Sequence, residues 1–184
     1  MDEKELIEKL RQGDEPAFRW LVNNYRNRVY HTVLTILQNN KEAEDAAQET
    51  FIQVHQSIHG FREDASLATW ICKIASRKAI DKSRRRKTRE KWQLWWGKEN
   101  DQEENFEHPG ILSENKEKAA ILFKAISSLP EPQRVAFTLI KVQGLSYEEA
   151  CGILQKNIKA VESLITRARI NLQKKLADHY NEQQ

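Results

Sequence analysis

Apolar residues recur at helical spacing through the first half of the chain. Each such stretch places them three or four positions apart, the pattern of one buried helix face. The stretches begin near Leu6, Phe18, Ala43 and Leu67. Breaks at Gly13, at Asn39-Asn40 and at Gly60 separate them. No alternating pattern of useful length indicates a strand. The sequence therefore predicts an all-helical first half over residues 1–90.

The helical pattern resumes at residue 116 and ends in a pair of adjacent helices. A short apolar helix ends at Gly144, which suits the position just after a helix C-terminus. Ser146, followed by Glu149, forms a capping box that begins the next short helix. After residues 155–157 a longer helix follows. Its apolar inner face consists of Val161, Leu164, Ile165, Ala168 and Leu172. Such a pair is typical of a helix-turn-helix unit.

Between the two halves, over residues 91–115, the helical periodicity lapses. Acidic residues accumulate there, and His108-Pro109-Gly110 disfavours regular structure. We therefore predict an all-α fold of two small helical domains, 1–90 and 116–184, joined by a flexible acidic linker at 91–115. Three tryptophans are unusual in a linker: Trp92, Trp95 and Trp96. We expect them to dock on the first domain as additional core.

Composition narrows the class of protein. The chain is 39% hydrophobic and 31% charged, as in soluble helical proteins, and its net charge of +3 conceals a strong segregation of sign. Cys72 and Cys151 lie far apart without ligand-spaced partners, so we expect neither a disulfide framework, nor a metal, nor another cofactor. The acidic start at residues 1–5 and the absence of a long apolar run argue against a secretory signal or membrane insertion. We expect a cytoplasmic protein.

The helix predicted from Ser66 to Lys91 carries the strongest candidate chemistry. Its buried stripe is predicted to consist of Leu67, Trp70, Ile71 and Ile74. A second face carries Trp70, Lys73, Arg77 and Arg84. After Asp81 the helix becomes basic, with Glu90 as its single acid. An aromatic ring beside cations suits a polyanion whose bases can be unstacked. A core helix with a solvated basic end explains this segment equally well.

The second helix of the predicted helix-turn-helix unit carries a polar outward face. That face consists of Lys159, Glu162, Ser163, Thr166 and Arg167. Donors and acceptors at this spacing reach base edges when such a helix lies in a major groove. Arg169, Lys174 and Lys175 are better placed for phosphates, which fix position without reading sequence. An ordinary polar helix face is the alternative.

Taken together, these segments resemble a bacterial RNA polymerase sigma factor of the extracytoplasmic-function type. The segments of the first half are Asp45-Ala46-Ala47-Gln48-Glu49-Thr50-Phe51, Phe61-Arg62, Thr69-Trp70-Ile71, Ile74-Ala75, Ala79-Ile80-Asp81 and Arg84-Arg85-Arg86. Those of the second half are Leu129-Pro130, Gln133-Arg134, Phe137, Gly144-Leu145-Ser146-Tyr147-Glu148-Glu149-Ala150, Val161-Glu162-Ser163 and Arg167-Ala168-Arg169. Each is weak alone, and their order and spacing make the resemblance specific.

The resemblance implies that the first domain has two interfaces. Region 2 of such factors binds the clamp helices of core RNA polymerase, here through Asp45, Gln48 and Glu49, whose carboxylates would face basic residues. The same region binds and opens the −10 element of promoter DNA, with a flipped base held by the loop at 62–66. The residues implied in this role are Arg62, Asp64, Ser66, Trp70, Lys73, Arg77, Arg84 and Arg85.

The resemblance assigns the second domain to duplex readout of the −35 element. The residues implied are Lys159, Glu162, Ser163, Thr166, Arg167 and Arg169. Three positions depart from the family pattern. Arg77 follows Ser76 where the family often has asparagine after Ile-Ala-Arg, which leaves the −10 preference open. Gln155 stands where the turn often has glycine, and a left-handed backbone there would cost about 1 kcal/mol. Glu162 stands at an often basic position, where it could accept a hydrogen bond from a cytosine amino group.

The leading hypothesis is therefore a transcription-initiation subunit, not an enzyme, that is monomeric when free. Its implied partners are core RNA polymerase, promoter DNA and an anti-sigma factor. A free-standing helix-turn-helix regulator would explain residues 146–175 but not the basic helix with Trp70. An enzyme is poorly supported, because the five histidines are scattered without catalytic or ligand spacing. A membrane-surface role for the basic tract would need more aromatic residues after Ile80.

Overall fold

The computed structural model describes residues 2–95 and 116–181, and all regular structure within these ranges is helical. The helices are α1 (Glu3–Arg11), α2 (Glu15–Leu37), α3 (Asn40–Ser57), α4 (Leu67–Trp95), α5 (Lys116–Ser127), α6 (Glu131–Phe137), α7 (Tyr147–Leu154) and α8 (Ile158–Asn181). A 3-10 turn at Ile58–Gly60 follows α3, and a π-helical turn at Thr138–Val142 continues α6. The chain divides into two compact units. The predicted all-α fold with two helical domains is confirmed. Of the predicted flexible linker at 91–115, residues 91–95 belong to α4, and residues 96–115 lie outside the described ranges.

Short polar side chains begin the helices of the first unit. Asp14 caps α2 by accepting a hydrogen bond from the Ala17 N–H at 2.6 Å, and Asn39 caps α3 by accepting from the Glu42 N–H at 2.8 Å. Between α2 and α3, Gln38 is left-handed (φ 53°), which turns the chain sharply. Local chemistry thus accounts for the antiparallel return of α3 along α2.

The core of the first unit lies between α2, α3 and α4. Large apolar side chains of α2 are buried together with both small and large apolar side chains of α3 and α4. The buried core residues of these helices include Leu21, Val33, Leu34, Leu37, Ala43, Ala46, Phe51, Val54, Leu67, Ile71, Ala75 and Ala79. The buried stripe predicted for α4 is confirmed at Leu67 and Ile71, whereas Trp70 and Ile74 are half-buried at its edge.

Helix α4 continues past the predicted domain end at residue 90. It reaches Trp95 because strong helix formers occupy residues 85–95 and no glycine occurs before Gly97. The expected docking of the tryptophans is wrong for the two that are described. Trp92 is 56% exposed and Trp95 is 79% exposed, and their ring centroids lie 5.8 Å apart in an edge-to-face arrangement. Trp96 lies outside the described residues.

The second unit packs α5, α6 and α7 around α8. One apolar cluster joins α5 to α8 through Ala125, Ile126, Leu129, Ala168 and Leu172. Arg134 of α6 is 6% exposed, and its guanidinium donates to the Leu129 carbonyl at 3.0 Å and to the Ser127 carbonyl at 3.3 Å. A buried cation therefore satisfies carbonyls at the end of α5. The predicted glycine turn is confirmed, because Gly144 has φ 72°.

The helix-turn-helix pair has the predicted capping and turn. Ser146 accepts from the Glu149 N–H at 3.2 Å, and the Glu149 carboxylate accepts from the Ser146 N–H at 2.8 Å, which completes the capping box of α7. Gln155 is left-handed (φ 55°, ψ 46°), the conformation for which glycine is favoured. Asn157 then caps α8 by accepting from the Ala160 N–H at 2.9 Å.

Candidate nucleic-acid and polymerase interfaces

The loop before α4 is held in place by α1. Arg11 donates to the Phe61 carbonyl at 2.8 Å and pairs with the Glu63 carboxylate at 3.0 Å, and Glu63 itself is left-handed (φ 59°). At the end of the loop, the Glu3 carboxylate accepts from the Leu67 N–H at 3.1 Å. Charged groups at both ends of α1 therefore fix a loop that contains a strained residue.

Within that loop the predicted −10 residues divide into exposed and structural positions. Arg62 and Asp64 are strongly exposed, at 86% and 69% of their side chains, and lie 3.9 Å apart. Ser66 accepts from the Thr69 N–H at 3.2 Å and so caps the first turn of α4. Its hydroxyl also lies 2.9 Å from that of Thr69. Ser66 thus has a local structural role besides the one predicted for it.

Trp70 lies beside an open groove between the end of α3 and the first half of α4. Its ring packs on Phe61, with centroids 5.0 Å apart and planes inclined by 37°. The groove has a volume of about 430 Å³, within the range of small-ligand sites. Its lining residues include Gln53, Ser57, Gly60, Trp70, Ile74 and Arg77. A half-buried indole, an aliphatic residue and a guanidinium together offer a planar heterocycle both stacking and hydrogen-bonding contacts.

The remaining predicted −10 residues continue along α4. Lys73 is half-buried one turn after Trp70. Arg84 is exposed and lies 3.8 Å from Asp81, and Arg85 is exposed beside it. These two arginines lie about 21 Å along the helix axis from Trp70. The structure therefore brings Trp70 and Arg77 to one groove, while Arg84 and Arg85 form a separate basic position on the same helix.

The predicted polymerase-binding residues lie on the exposed face of α3. Asp45, Gln48 and Glu49 are all exposed. Lys82 of α4 pairs with Asp45 at 3.2 Å and with Glu49 at 4.0 Å, yet both acids keep more than half of their side-chain surface in solvent. The sequence suggested a solvated basic end for α4. In the structure, Lys82 of this basic tract instead contacts the acids of α3. Arg86 also pairs with an acid of α3, Glu42, at 2.7 Å.

The predicted −35 residues lie on α8, and all but one are exposed. Lys159, Glu162, Thr166, Arg167 and Arg169 are exposed, whereas Ser163 is half-buried. The predicted inner face is buried at Val161, Ile165, Ala168 and Leu172, with Leu164 half-buried. The Thr166 hydroxyl donates to the Glu162 carbonyl at 2.9 Å, so its oxygen remains an acceptor for a base or water.

Sequence reasoning missed Arg11 and Glu3, which position the loop before α4, and Lys82, which touches the acidic face of α3. No local motif identifies them, because each acts on a residue far away in the sequence. Among residues 2–95 and 116–181, no group of three or more His, Cys, Asp or Glu side chains is arranged to hold a metal ion. Over the same residues, no helix has the length and apolar character needed to cross a bilayer.

The fold and these surfaces define a two-unit helical protein with an acidic helix face, an aromatic groove beside cations, and a helix-turn-helix. Residues 21–89 match the family model of sigma-70 region 2, and residues 119–172 match that of sigma-70 region 4. The chain is 33% identical over 177 residues to the ECF RNA polymerase sigma-E factor of Escherichia coli K12, which covers 89% of this chain and 88% of that factor. It is 31% identical over 182 residues to the RNA polymerase sigma-H factor of Pseudomonas aeruginosa, covering 95% of this chain and 93% of that factor.

Two solved structures share this fold. One is the sigma factor RpoE in complex with the anti-sigma factor NepR from Bartonella quintana, with a TM-score of 0.64, 24% identity, and coverage of 87% of this chain and 96% of that one. The other is CnrH in complex with the cytosolic domain of CnrY, with a TM-score of 0.59, 20% identity, and coverage of 96% and 97%. The chain belongs to the sigma-70 family of RNA polymerase sigma factors, and its relatives place it in the extracytoplasmic-function type. It is therefore a promoter-directing initiation factor and not an enzyme.

Proposed function

We propose that this sigma factor uses three separate surfaces during initiation. The first unit docks on core RNA polymerase through α3 and opens the −10 element along α4, while the second unit reads the −35 element through α8. The proposed domains are 1–90 and 116–184, with a linker between them. The observation that carries this proposal is the groove at Trp70, since it combines an indole edge with Arg77 beside the loop 62–66.

The acidic face of α3 is the proposed polymerase contact. Asp45 and Glu49 are exposed despite their contact with Lys82, so both carboxylates remain accessible to basic residues of a partner. Gln48 lies between them in sequence and adds an exposed amide. Complementary charge across such an interface mainly raises the association rate and fixes orientation.

The groove beside Trp70 is the proposed site of a flipped −10 base. Extrusion of a base costs a few kcal/mol, and stacking on an aromatic ring returns roughly 1–3 kcal/mol per base. Arg62 and Asp64 stand exposed in the neighbouring loop, where they can contact base edges or phosphates. The more distant Arg84 and Arg85 contact phosphates of the opened strand. The −10 preference of this chain should depend on Arg77, because Arg77 lines the groove and stands where the family often has asparagine.

The exposed face of α8 is the proposed reader of the −35 element. Lys159, Glu162, Thr166 and Arg167 present donors and acceptors along one side of the helix. Glu162 can accept a hydrogen bond from a cytosine amino group, while Arg167 can donate to guanine. The face therefore offers both an acceptor and a donor. Arg169 contacts phosphate and fixes the helix in the groove.

A protein partner that sequesters the factor is also proposed. The RpoE structure that shares this fold was solved with an anti-sigma factor bound, and CnrH was solved with a cytosolic domain of CnrY. An anti-sigma factor that covers the α3 face would compete with core polymerase. The factor acts in the cytoplasm, where RNA polymerase is found, and is monomeric when free, which size-exclusion chromatography would test.

Promoter-dependent run-off transcription tests the proposal as a whole. Purified chain and core polymerase are combined with a library of promoter fragments, and the selected fragments are transcribed. We expect specific transcripts that need both a −10 and a −35 element. The absence of a specific transcript from every selected promoter would contradict the proposal.

Trp70→Ala tests the groove separately. We expect promoter opening to fall by about tenfold or more, because one stacking contact is lost, while binding to duplex −35 DNA is retained. Permanganate reactivity of −10 thymines reports opening, and footprinting reports the −35 contact. The matched control is Trp20→Ala, since Trp20 is an exposed tryptophan on α2, outside the groove. Unchanged opening in the Trp70 variant would exclude the assigned role.

A further inference from the structure

The last turns of α4 expose two tryptophans beside basic residues. Trp92 is 56% exposed and Trp95 is 79% exposed, an unusual state for side chains whose burial normally stabilises a fold. Their rings meet edge to face at a centroid distance of 5.8 Å. The match to sigma-70 region 2 ends at residue 89, so both lie outside the segment that defines the family fold. Their exposure therefore indicates a binding surface that the region 2 match does not include.

The tryptophans share a helix face with two exposed arginines. Arg85, Arg89 and Trp92 follow one another at spacings of four and three residues, and Trp95 comes three residues later, so the four side chains form one stripe. We refer to Arg85, Arg89, Trp92 and Trp95 as the Arg-Trp stripe. Arg85 and Arg89 line a groove that also contains Glu42 and Glu49 of α3. These acids pair with Arg86 and Lys82, and no ion pair between described residues involves Arg85 or Arg89. The stripe therefore combines positive charge with open aromatic surface.

We infer that the Arg-Trp stripe binds single-stranded DNA, with phosphates on the arginines and unstacked bases on the tryptophans. The charge favours a polyanion over a neutral or basic protein surface, because Lys87 and Lys91 flank the stripe and Glu90 is the only acid of the last three turns. The two exposed indoles favour bases that are free to stack over those of an intact duplex. The stripe spans about 15 Å of helix, so it offers room for more than one nucleotide.

This site extends the DNA surface of α4 beyond the proposed −10 contacts. Arg85 belongs both to the proposed −10 contacts and to the Arg-Trp stripe. The stripe therefore continues from the proposed phosphate contact at Arg85 towards the C-terminal end of α4. The inference goes beyond the proposed function, because binding of a single strand to the stripe requires neither polymerase nor a promoter sequence. Loss of single-strand binding at the stripe can therefore be measured separately from loss of promoter recognition.

Titration of a fluorescent twelve-nucleotide oligo(dT) with the full chain tests the inference. Fluorescence anisotropy at low salt gives the affinity. Trp92→Ala combined with Trp95→Ala should weaken binding by at least about tenfold, since each stacked base contributes about that factor. Trp20→Ala is the matched control, because Trp20 is also exposed (40%) but lies on α2, and it should leave the affinity unchanged.

Arg89→Ala separates the electrostatic contribution from stacking. This variant should lower the slope of log affinity against log salt by about 0.7, the value for one phosphate contact on a single strand. The tryptophan double variant should lower affinity while leaving that slope nearly unchanged. A chain that does not bind oligo(dT), or a double variant that binds it like the parent, would overturn the inference.

Three further measurements exclude other occupants. If the tryptophan substitutions weaken binding to a twelve-base-pair duplex as much as to oligo(dT), stacking on unpaired bases is wrong. If they abolish flotation with anionic phospholipid vesicles, or weaken binding to core polymerase, while oligo(dT) binding is unchanged, the stripe is a membrane or protein contact instead. We expect a loss confined to the single strand.

Discussion

Lys82 Nζ lies 3.2 Å from a carboxylate oxygen of Asp45, which joins the basic helix α4 to the acidic face of α3. The same ammonium lies 4.0 Å from Glu49. The two acids proposed to bind polymerase therefore share one cation of their own chain. Lys82 is the less exposed partner, with 25% of its side chain in solvent against 55% for Asp45. An incoming basic residue of a partner competes with Lys82 for these acids.

Replacement of Lys82 by alanine should strengthen binding to core polymerase. The substitution removes the competing cation, and exposed ion pairs of this kind contribute about 0.2–1 kcal/mol, so the gain should be about fivefold at most. Surface plasmon resonance with immobilised core polymerase measures it. Lys78→Ala, one turn earlier on α4, is the matched control and should have little effect. Weaker binding of the Lys82 variant would mean that Lys82 supports the interface rather than masks it.

Replacement of Arg11 by alanine should slow promoter opening without altering −35 binding. Arg11 holds the loop before α4, the proposed −10 contact, through the Phe61 carbonyl and Glu63. Loss of these contacts at a partly exposed position should cost about 1 kcal/mol, or about fivefold in the opening rate. Stopped-flow fluorescence of a base analogue in the −10 element measures opening. Arg19→Ala serves as control, because Arg19 is exposed and its ion pair with Glu15 lies within α2. Equal opening rates for parent and Arg11 variant would contradict a positioning role.

Replacement of Gln155 by glycine should stabilise the helix-turn-helix. Gln155 is left-handed, and glycine relieves the strain of a side chain in that conformation, for a gain of about 0.5–1 kcal/mol. Native-state hydrogen exchange of α7 and α8 amides measures the local free energy of opening. The neighbouring Lys156→Gly should destabilise, because Lys156 is not among the residues with positive φ and glycine there only adds unfolded-state entropy. Equal effects of the two substitutions would show that backbone strain does not decide the turn.

The elements of the fold follow largely from local sequence signals. Ser146 with Glu149 predicts the start of α7, and Gly144 predicts the turn before it, since capping and backbone preference act over a few residues. The apolar period correctly predicts the buried side of α8. The π-helical turn at Thr138–Val142 was not predicted, because its apolar residues fit an ordinary α-helix equally well.

The parts that sequence could not provide are long-range. Arg11 and Phe61 are 50 residues apart, and Lys82 and Asp45 are 37 residues apart, so no periodicity relates them. Arg134 looks like a surface cation in the sequence, yet it is buried because it satisfies carbonyls at the end of α5. The exposure of Trp92 and Trp95 was also missed, since large aromatic residues are normally assigned to a core.

The most direct test of the account is charge reversal on α3. Asp45→Lys combined with Glu49→Lys should weaken binding to core RNA polymerase by at least about tenfold, because two favourable charge contacts become repulsive. The control is Glu8→Lys combined with Glu15→Lys, which changes the net charge equally at exposed positions on α1 and α2, outside the proposed contact. Circular dichroism confirms that both variants remain helical. Binding lost only in the Asp45 and Glu49 variant is the predicted result, and equal polymerase affinity of the two double variants would contradict the account.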